Sequence, residues 1–249
     1  MDYLKVHKRN AVAVLMLSRG KVNALNGAVV DQIRQSLKAL EGDPEARSII
    51  ITGIGKFFSF GFDIPEFLSF TKDQFAEYLT NFADLYTYLF LYPKPVVAAL
   101  NGHSIAGGCM LALACDSRVM AAGKARISLN EIAFGSTVFA GSTEMLRFCV
   151  GSANATSVLY SGAMYSAEEA KRFGLVDEVA TEHDLMDVAF NMAVALAAKY
   201  PPAFASIKSL LRRSTAEEMM RRERQSIEEL VNIWYSENTW ANLQNIKIL

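Results

Sequence analysis

Only three cysteines and three histidines occur in the chain, which removes the usual raw material of metal and disulfide architecture. Cys109, Cys115 and Cys149 are odd in number and sit in apolar surroundings. They read as buried free thiols of a reducing compartment, not as a disulfide framework. Cys109 and Cys115 have no histidine nearby, so no metal site is expected. There is no long basic run and the net charge is −1. Nothing in that balance attracts nucleic acid or an anionic membrane, and neither is expected as a partner. No apolar stretch reaches the roughly 18 residues needed to span a bilayer. The segment Met1-Asp2-Tyr3-Leu4-Lys5 lacks a basic region followed by an apolar one, so no secretory signal is read and a cytoplasmic location is expected. Gly-x-Gly-x-x-Gly is missing at the first strand-helix junction, and Gly-x-x-x-x-Gly-Lys-Ser/Thr and Gly-x-Ser-x-Gly are missing throughout. Dinucleotide, P-loop and nucleophile-elbow readings lose their support. Of His7, His103 and His183, only His103 lies beside a glycine turn, where it serves either a site or local packing.

What is present is apolar material: 51% of 249 residues are hydrophobic, enough for one large domain with a sizeable core. The chain is organised around Asn101 to Met110 (NGHSIAGGCM). A β-branched run, Lys94-Pro-Val-Val-Ala-Ala-Leu100, precedes it and the apolar Cys109 to Ala114 follows, which predicts strand, glycine turn, helix. Gly107-Gly108 stands at the helix start, where N–H groups lack intrahelical partners and the dipole is positive. Such a turn either holds a negative oxygen or lets the helix pack tightly on its strand.

The remaining pattern alternates. Tyr3 to Leu17 predicts one or two strands, Ala28 to Leu40 a helix capped by Asn26, and Ser48 to Thr52 a buried strand. Gly53 to Asp63 is glycine-punctuated and aromatic, and Phe67 to Leu91 predicts a helix. Ser117 to Ala121 predicts a strand, Ala125 to Glu131 leads into a loop, and Ser142 to Val150 predicts a helix. Ser166 and Glu169 form a capping-box signature for a helix ending at Gly174. Leu175 to Val179 predicts a strand and Asp184 to Lys199 a helix. Residues 203–249 are helical, with Arg212, Arg213, Arg221, Arg222 and Arg224 expected on a solvated face or, as the minor reading, binding phosphate. Alternating strands and helices predict an α/β fold with mainly parallel pairing.

These segments in this order resemble the crotonase (enoyl-CoA hydratase/isomerase) superfamily. The resemblance is carried by Val22-Asn-Ala-Leu-Asn26, Phe58 to Ile64, Lys94 to Gly102, Ala106-Gly-Gly-Cys109, Cys115-Asp-Ser-Arg118 and Gly174-Leu-Val-Asp177. It implies a spiral of ββα units over residues 1–200, a C-terminal helical assembly region over 201–249, and a homotrimer or dimer of trimers. It implies an acyl-CoA thioester as substrate, with no separate cofactor because CoA is part of that substrate. By the same resemblance an enolate oxygen would be held by the backbone N–H groups of Phe62 and Gly107, each such donor lowering the barrier by about 3 kcal/mol. Ser59, Phe60 and Gly61 match the adenine-contacting segment, with Phe60 bulky where a small residue is usual. Lys21 matches a basic residue near the CoA phosphates, and Gly108 and Met110 follow in the same motif.

The acid-base positions separate branches of the family. Hydratases resemble one another in having two glutamates, which suit holding a water and delivering a proton to carbon. Here the first position is Met110 and the second is Glu131. One carboxyl with an oxyanion hole suits a double-bond shift, and the pattern is most similar to the mitochondrial-type delta3,delta2-enoyl-CoA isomerase branch. A hydratase or decarboxylase, with a CoA or carrier-bound thioester, and a non-catalytic thioester-binding subunit are the alternatives. Phe58, Phe60, Phe62, Phe134 and Phe139 are expected either to form a dry pocket that raises the pKa of Glu131 or to be plain core. Glu144 is expected to pair on the surface with Arg147, and Asp63 and Asp116 to brace turns.

Overall fold

Strand β1 (Leu4–Arg9) turns back into β2 (Val12–Leu17) as an antiparallel pair, through Asn10 at φ 55°, a conformation asparagine tolerates. The structure, a computed structural model, describes residues 2–246. Met1 and residues 247–249, the outer ends of the two expected regions, lie outside the described residues. Helix α1 (Gly27–Glu41) starts where the Asn26 side chain accepts a hydrogen bond from Val29 N–H. Then a unit recurs: a long strand, a short strand and helical material. The first unit is β3 (Ser48–Gly53), β4 (Phe57–Ser59), α2 (Ile64–Phe67) and α3 (Lys72–Phe90). The second is β5 (Val96–Leu100), β6 (His103–Ile105) and α4 (Gly107–Ala114). The third is β7 (Ser117–Ala121), β8 (Ile127–Ser128), a 3-10 turn (Glu131–Phe134) and α5 (Ala140–Ser161).

Long strands pair with long and short with short. One sheet runs β1-β2-β3-β5-β7-β9, where β9 is Glu178–Ala180 and α6 (Ala167–Phe173) precedes it; the other runs β4-β6-β8. Among the described residues every strand-strand pairing after β1-β2 is parallel, and one isolated antiparallel bridge joins Ile127 of β8 to Tyr165. This is the fold class read from the sequence, a mixed α/β spiral of ββα units with a helical C-terminal region. The central strands β2, β3 and β5 of the large sheet are buried on both faces, as strands covered on both sides must be. Ile49 and Ile51 point into the main core with α1 and α3, while Ile50 points to the opposite face. That face is covered by α7 (Leu185–Ala197) through Ala189 and Ala193, small enough for close seating. Helix α4 is buried along its whole length.

Several expected boundaries move. The helix expected over Phe67 to Leu91 is interrupted: Phe67 ends α2, and Thr71 opens α3 with a capping box closed by Gln74. The helix expected over Ser142 to Val150 extends to Ser161, bending at Gly151 with φ 76°. The strand expected at Leu175 to Val179 is shorter and later, because Leu175 and Val176 donate back to the Ala170 carbonyl and finish the turn after α6. Pro201 opens α8 (Pro201–Trp234), as a proline at the first helical position can. Helix α8 packs against α3 and α5, and α9 (Glu237–Gln244) follows it. Among the described residues no helix is long and apolar enough to cross a membrane.

The arginine cluster of α8 is not one solvated face. Arg221 and Arg224 are exposed, but Arg212 is buried and donates to the carbonyls of Phe90, Ala114 and Cys115. It lies 3.3 Å from Asp116, which also takes Lys208 at 2.8 Å and accepts from Val96 N–H at 2.8 Å. Asp116 thus braces the start of β5 and ties α8 to it. Asp116→Asn would leave Lys208 and Arg212 buried without their counter-charge. It is expected to cost about 3 kcal/mol in urea denaturation; a loss below about 1 kcal/mol would show that these cations find other partners.

Candidate active site

The site is built where loops of consecutive units touch. The loop before α1 clamps β4: Asn23 Nδ2 donates to the Ile54 and Phe57 carbonyls, and Ser59 Oγ donates to the Asn23 carbonyl. Leu25 then takes both neighbours of Phe62, donating its N–H to Gly61 at 2.7 Å and accepting from Asp63 N–H at 3.1 Å. Alternate residues of an extended segment point opposite ways. The N–H of Phe62 therefore faces away from Leu25, and among the described residues it donates to no carbonyl.

Gly61, at φ 95°, lies directly on the turn into α4. A Cβ there would stand 2.7 Å from the Ile105 carbonyl oxygen and 2.9 Å from Gly107 N. The next junction is equally close, since a Cβ on Gly108 would stand 2.4 Å from the Ser59 carbonyl oxygen. Ala106, which precedes α4, is held at φ 49°, ψ −117°, a strained conformation for a residue with a Cβ. Its N–H is fixed on Ser128 at 2.8 Å and its carbonyl accepts from Met110 N–H at 3.0 Å. The strain aims the first turn of α4. Gly107 N–H, at the positive end of that helix, also has no acceptor among the described residues. Two free backbone donors are thereby brought together from sequence positions 62 and 107, with the Phe62 ring packed against Gly107.

Beside them opens an apolar cavity of about 280 Å³. Phe60, Phe62, Met110, Glu131 and Phe134 all line it; Ser59, Gly61, Gly107 and Gly108 are not among its lining residues, although their chain neighbours Phe60, Phe62 and Ala106 are. Phe139 lines it as well, whereas Phe58 belongs to the core. Glu131 begins the 3-10 turn after β8, is 7% exposed, and its Oε2 has no hydrogen-bond partner. Loss of water raises its pKa to about 8, against a small lowering by its own backbone. Met110, 1% exposed, is the residue in α4 that faces the same cavity.

Other residues singled out in the sequence lie elsewhere. Lys21 is exposed on the turn of residues 19–23; its neighbour Val22 accepts from Phe60 N–H, which sets that turn beside the cavity rim. His103 packs its ring on Phe57 at 5.0 Å outside the cavity, and burial with Arg126 nearby lowers its pKa. Glu144 does pair with Arg147, at 3.3 Å, but it is buried and Arg222 of α8 completes the pairing at 2.5 Å, so the expected surface pair is an interhelical one. Asp63 caps α2 and holds Arg19 at 2.5 Å. Among the described residues no group of His, Cys, Asp and Glu could hold a metal ion.

The sequence reading missed the lining supplied by Ala106, by Asn130, Ser136 and Thr137 around the 3-10 turn, and by Leu230 and Trp234 of α8. Leu230 and Trp234 recur at helical spacing, a signal that predicts burial but not what they cover.

The family model described as enoyl-CoA hydratase/isomerase matches residues 7–238 of the chain. The mitochondrial enoyl-CoA hydratase of Pongo abelii is 35% identical over 202 residues, 79% of this chain and 68% of that protein. The 2,3-dehydroadipyl-CoA hydratase of Escherichia coli is 34% identical over 215 residues, 86% of this chain and 83% of that one. The crystal structure of human mitochondrial delta3-delta2-enoyl-CoA isomerase superposes with a TM-score of 0.92 at 26% identity, covering 98% of this chain and 96% of that one.

Because Gly61 lies against Ile105 and Gly107, Gly61→Ala is expected to destabilise the fold by about 2 kcal/mol, from the positive φ and the overpacking together. Chemical denaturation checks this. A neutral substitution would mean that the two backbone segments are free to separate.

Proposed function

Since the chain belongs to the enoyl-CoA hydratase/isomerase family, within the crotonase superfamily, we propose that it moves the double bond of a 3-enoyl-CoA thioester to the 2 position. The observation that carries this reading is that Glu131 is the only carboxyl lining the cavity among the described residues, with Met110 on the wall of α4. Adding water across a double bond calls for a second group to hold and deprotonate the water, and Met110 cannot titrate. A proton shift needs one carboxyl only. The relatives named as hydratases make hydration the reading to test against.

In the proposed mechanism the thioester oxygen lies on the N–H groups of Phe62 and Gly107, which have no acceptor among the described residues. Glu131 takes a proton from C2, and the negative charge moves onto the thioester oxygen as a dienolate, where the preorganised donors stabilise it. The same carboxyl, now protonated, delivers the proton to C4, which leaves the double bond conjugated with the carbonyl. Phe62, Phe134 and Phe139 keep water out, which strengthens both the hydrogen bonds and the basicity of Glu131. The chemistry proposed involves no cofactor, CoA being part of the substrate, and the nucleotide is proposed to lie along Ser59 to Gly61 with Lys21 toward its phosphates. Assembly as a trimer or dimer of trimers is proposed with it, supported by Ile207, Leu210 and Leu211 exposed on α8.

Glu131→Gln is expected to lower isomerisation of 3-hexenoyl-CoA about a thousandfold while the thioester still binds; retained turnover would remove Glu131 from the mechanism. Incubation with crotonyl-CoA should give no 3-hydroxyacyl product, and its appearance at a comparable rate would favour hydration. Glu131 must be ionised to accept the C2 proton, and its pKa stands at about 8. The kcat/KM of the wild type should therefore climb about tenfold per pH unit below that value and level off above it. The folded state holds this proton more tightly than the unfolded chain. Stability from Glu131 is thus full below its ordinary value of 4.5 and is lost as pH rises toward about 8. Glu131→Gln should accordingly melt higher than wild type at alkaline pH.

A further inference from the structure

The proposed proton shift depends on where one carboxyl stands, and that carboxyl does not fix its own place. Glu131 Oε2 has no hydrogen-bond partner, so the acid is positioned by the backbone turn that carries it. That turn is short and mostly uncovered: Glu131–Phe134 has no side-chain cap, and Ile132, Ala133 and Gly135 are exposed. It closes on itself through Gly135 N–H to the Ile132 carbonyl at 3.1 Å and Ser136 N–H to the Glu131 carbonyl at 3.0 Å. A single 3-10 turn gains little from such bonds and needs support from outside. Its start rests on the residue after α5, where a Cβ on Gly162 would stand 2.7 Å from Ile132 Cγ2. Its end is gripped by α9. Thr239 Oγ1 donates to the Gly135 carbonyl at 2.6 Å, and Asn242 Nδ2 donates to the Phe134 carbonyl at 3.1 Å. Among the described residues no backbone N–H donates to either carbonyl. Thr239 is 2% exposed and accepts from Ser236 Oγ at 3.2 Å, which leaves its own proton for Gly135. Residues 239, 242, 243 and 246 recur at helical spacing on one face of α9. Leu243 of that face is buried in the main core, and Ile246, just past the helix, lines the cavity that holds Glu131.

We propose that Thr239 and Asn242 are positioning residues for Glu131, holding its turn so that the carboxyl reaches both carbons between which the proton moves. The inference rests on the isomerase reading above and adds to it two residues that do not line the cavity. A base that serves C2 and then C4 must stay in register with both, and a displacement of about 1 Å at a reacting group costs about a hundredfold in rate. The competing account is that the two contacts only fasten α9 to the body of the protein. That account predicts lost stability and no effect that depends on the Glu131 carboxyl.

The test uses Thr239→Val and Asn242→Ala, singly and together, with Thr239→Ser as the conservative replacement and Asn245→Ala as the control. Asn245 is exposed and its side chain donates only to Ala241 within α9. With 3-hexenoyl-CoA the double variant should lose about a hundredfold in kcat with KM little changed. Thr239→Ser, which keeps the hydroxyl, should stay near the wild-type rate where Thr239→Val does not, and Asn245→Ala should match wild type. Made in the Glu131→Gln background, the same double substitution should barely alter the residual rate, because the group it positions is gone. Hydrogen exchange of the free enzyme needs no turnover: protection of the Gly135 and Ser136 amides should fall about tenfold in the double variant, the size of one lost hydrogen bond. If Thr239→Val does not fold, the exposed Asn242→Ala carries both measurements, with about a tenfold loss expected in each. An undiminished kcat, an equal loss in the Glu131→Gln background, or unchanged exchange at Gly135 and Ser136 would each overturn the proposal. If Glu131→Gln is as active as wild type, or no 3-enoyl thioester is turned over, the isomerase reading fails separately. Exchange alone then decides whether α9 holds the turn.

Discussion

The structure depends on a contact between two backbones with no side chain between them. Gly61 meets Ile105 and Gly107 at distances that exclude a Cβ, and Ser59 meets Gly108 in the same way one step further on. These contacts stack the β4 corner of one ββα unit on the β6-α4 corner of the next. The placement of the two unused amides follows from that stacking. Leu25 occupies the hydrogen-bonding groups on one side of residues 61 and 63, so the N–H of Phe62 is left facing the other side. The start of α4 supplies a second unused N–H a short distance away, held by the strained Ala106. A pair of amides positioned by main-chain packing needs no side chain and no reorganisation when charge develops.

Electrostatics sets Glu131 apart from every other buried charge near the core. Asp116 is matched by Lys208 and Arg212, Arg118 by Asp177, and Glu144 by Arg147 and Arg222. Glu223, half-buried and raised in pKa by loss of water, still accepts from the Tyr86 hydroxyl and from Gly141 N–H. Charges in this fold are paired wherever pairing serves structure. Glu131 has one carboxylate oxygen with no partner inside an apolar cavity, an arrangement that costs stability and suits a group that exchanges a proton with a bound molecule.

What the sequence made legible was local. The apolar runs of β3 and β5, the capping signature at Ser166, and the glycine turn before α4 depend on residues within a few positions of each other, and the structure shows them. Strands β4, β6 and β8 have three residues or fewer, too short to show any period, and so the second sheet was invisible. The strain at Ala106 was equally hidden, because a positive φ at alanine is imposed by Ser128 and the stacked turns and by nothing in the alanine itself. Arg212 and Glu144 misled for one reason: a charged residue on a helix reads as solvated unless its partner is known, and their partners lie on other elements. Glu131, Phe62, Met110 and Phe134 share one cavity; the first three were singled out by resemblance to a family pattern and Phe134 as one of a set of aromatics, none of them by periodicity.

The last element of the site shows why a C-terminal helix cannot be treated as an appendage here. Helix α5 has no cap from its own N-terminal residue; Ala140 N–H and Gly141 N–H donate instead to Ser226 and Glu223 of α8. One turn along the same face of α8 come Leu230 and then Trp234, which line the cavity opposite the α4 turn. The helix therefore does two things with one stripe of residues. It holds the start of α5, which Phe139 precedes, and it lines the cavity with Leu230 and Trp234. Because the amides and Glu131 belong to the ββα units while Leu230 and Trp234 belong to α8, the reaction proposed above would divide its chemistry and its choice of acyl chain between different parts of the chain. On that proposal, substitutions along the stripe would alter the far wall of the cavity and leave the amide pair where the glycine contacts put it.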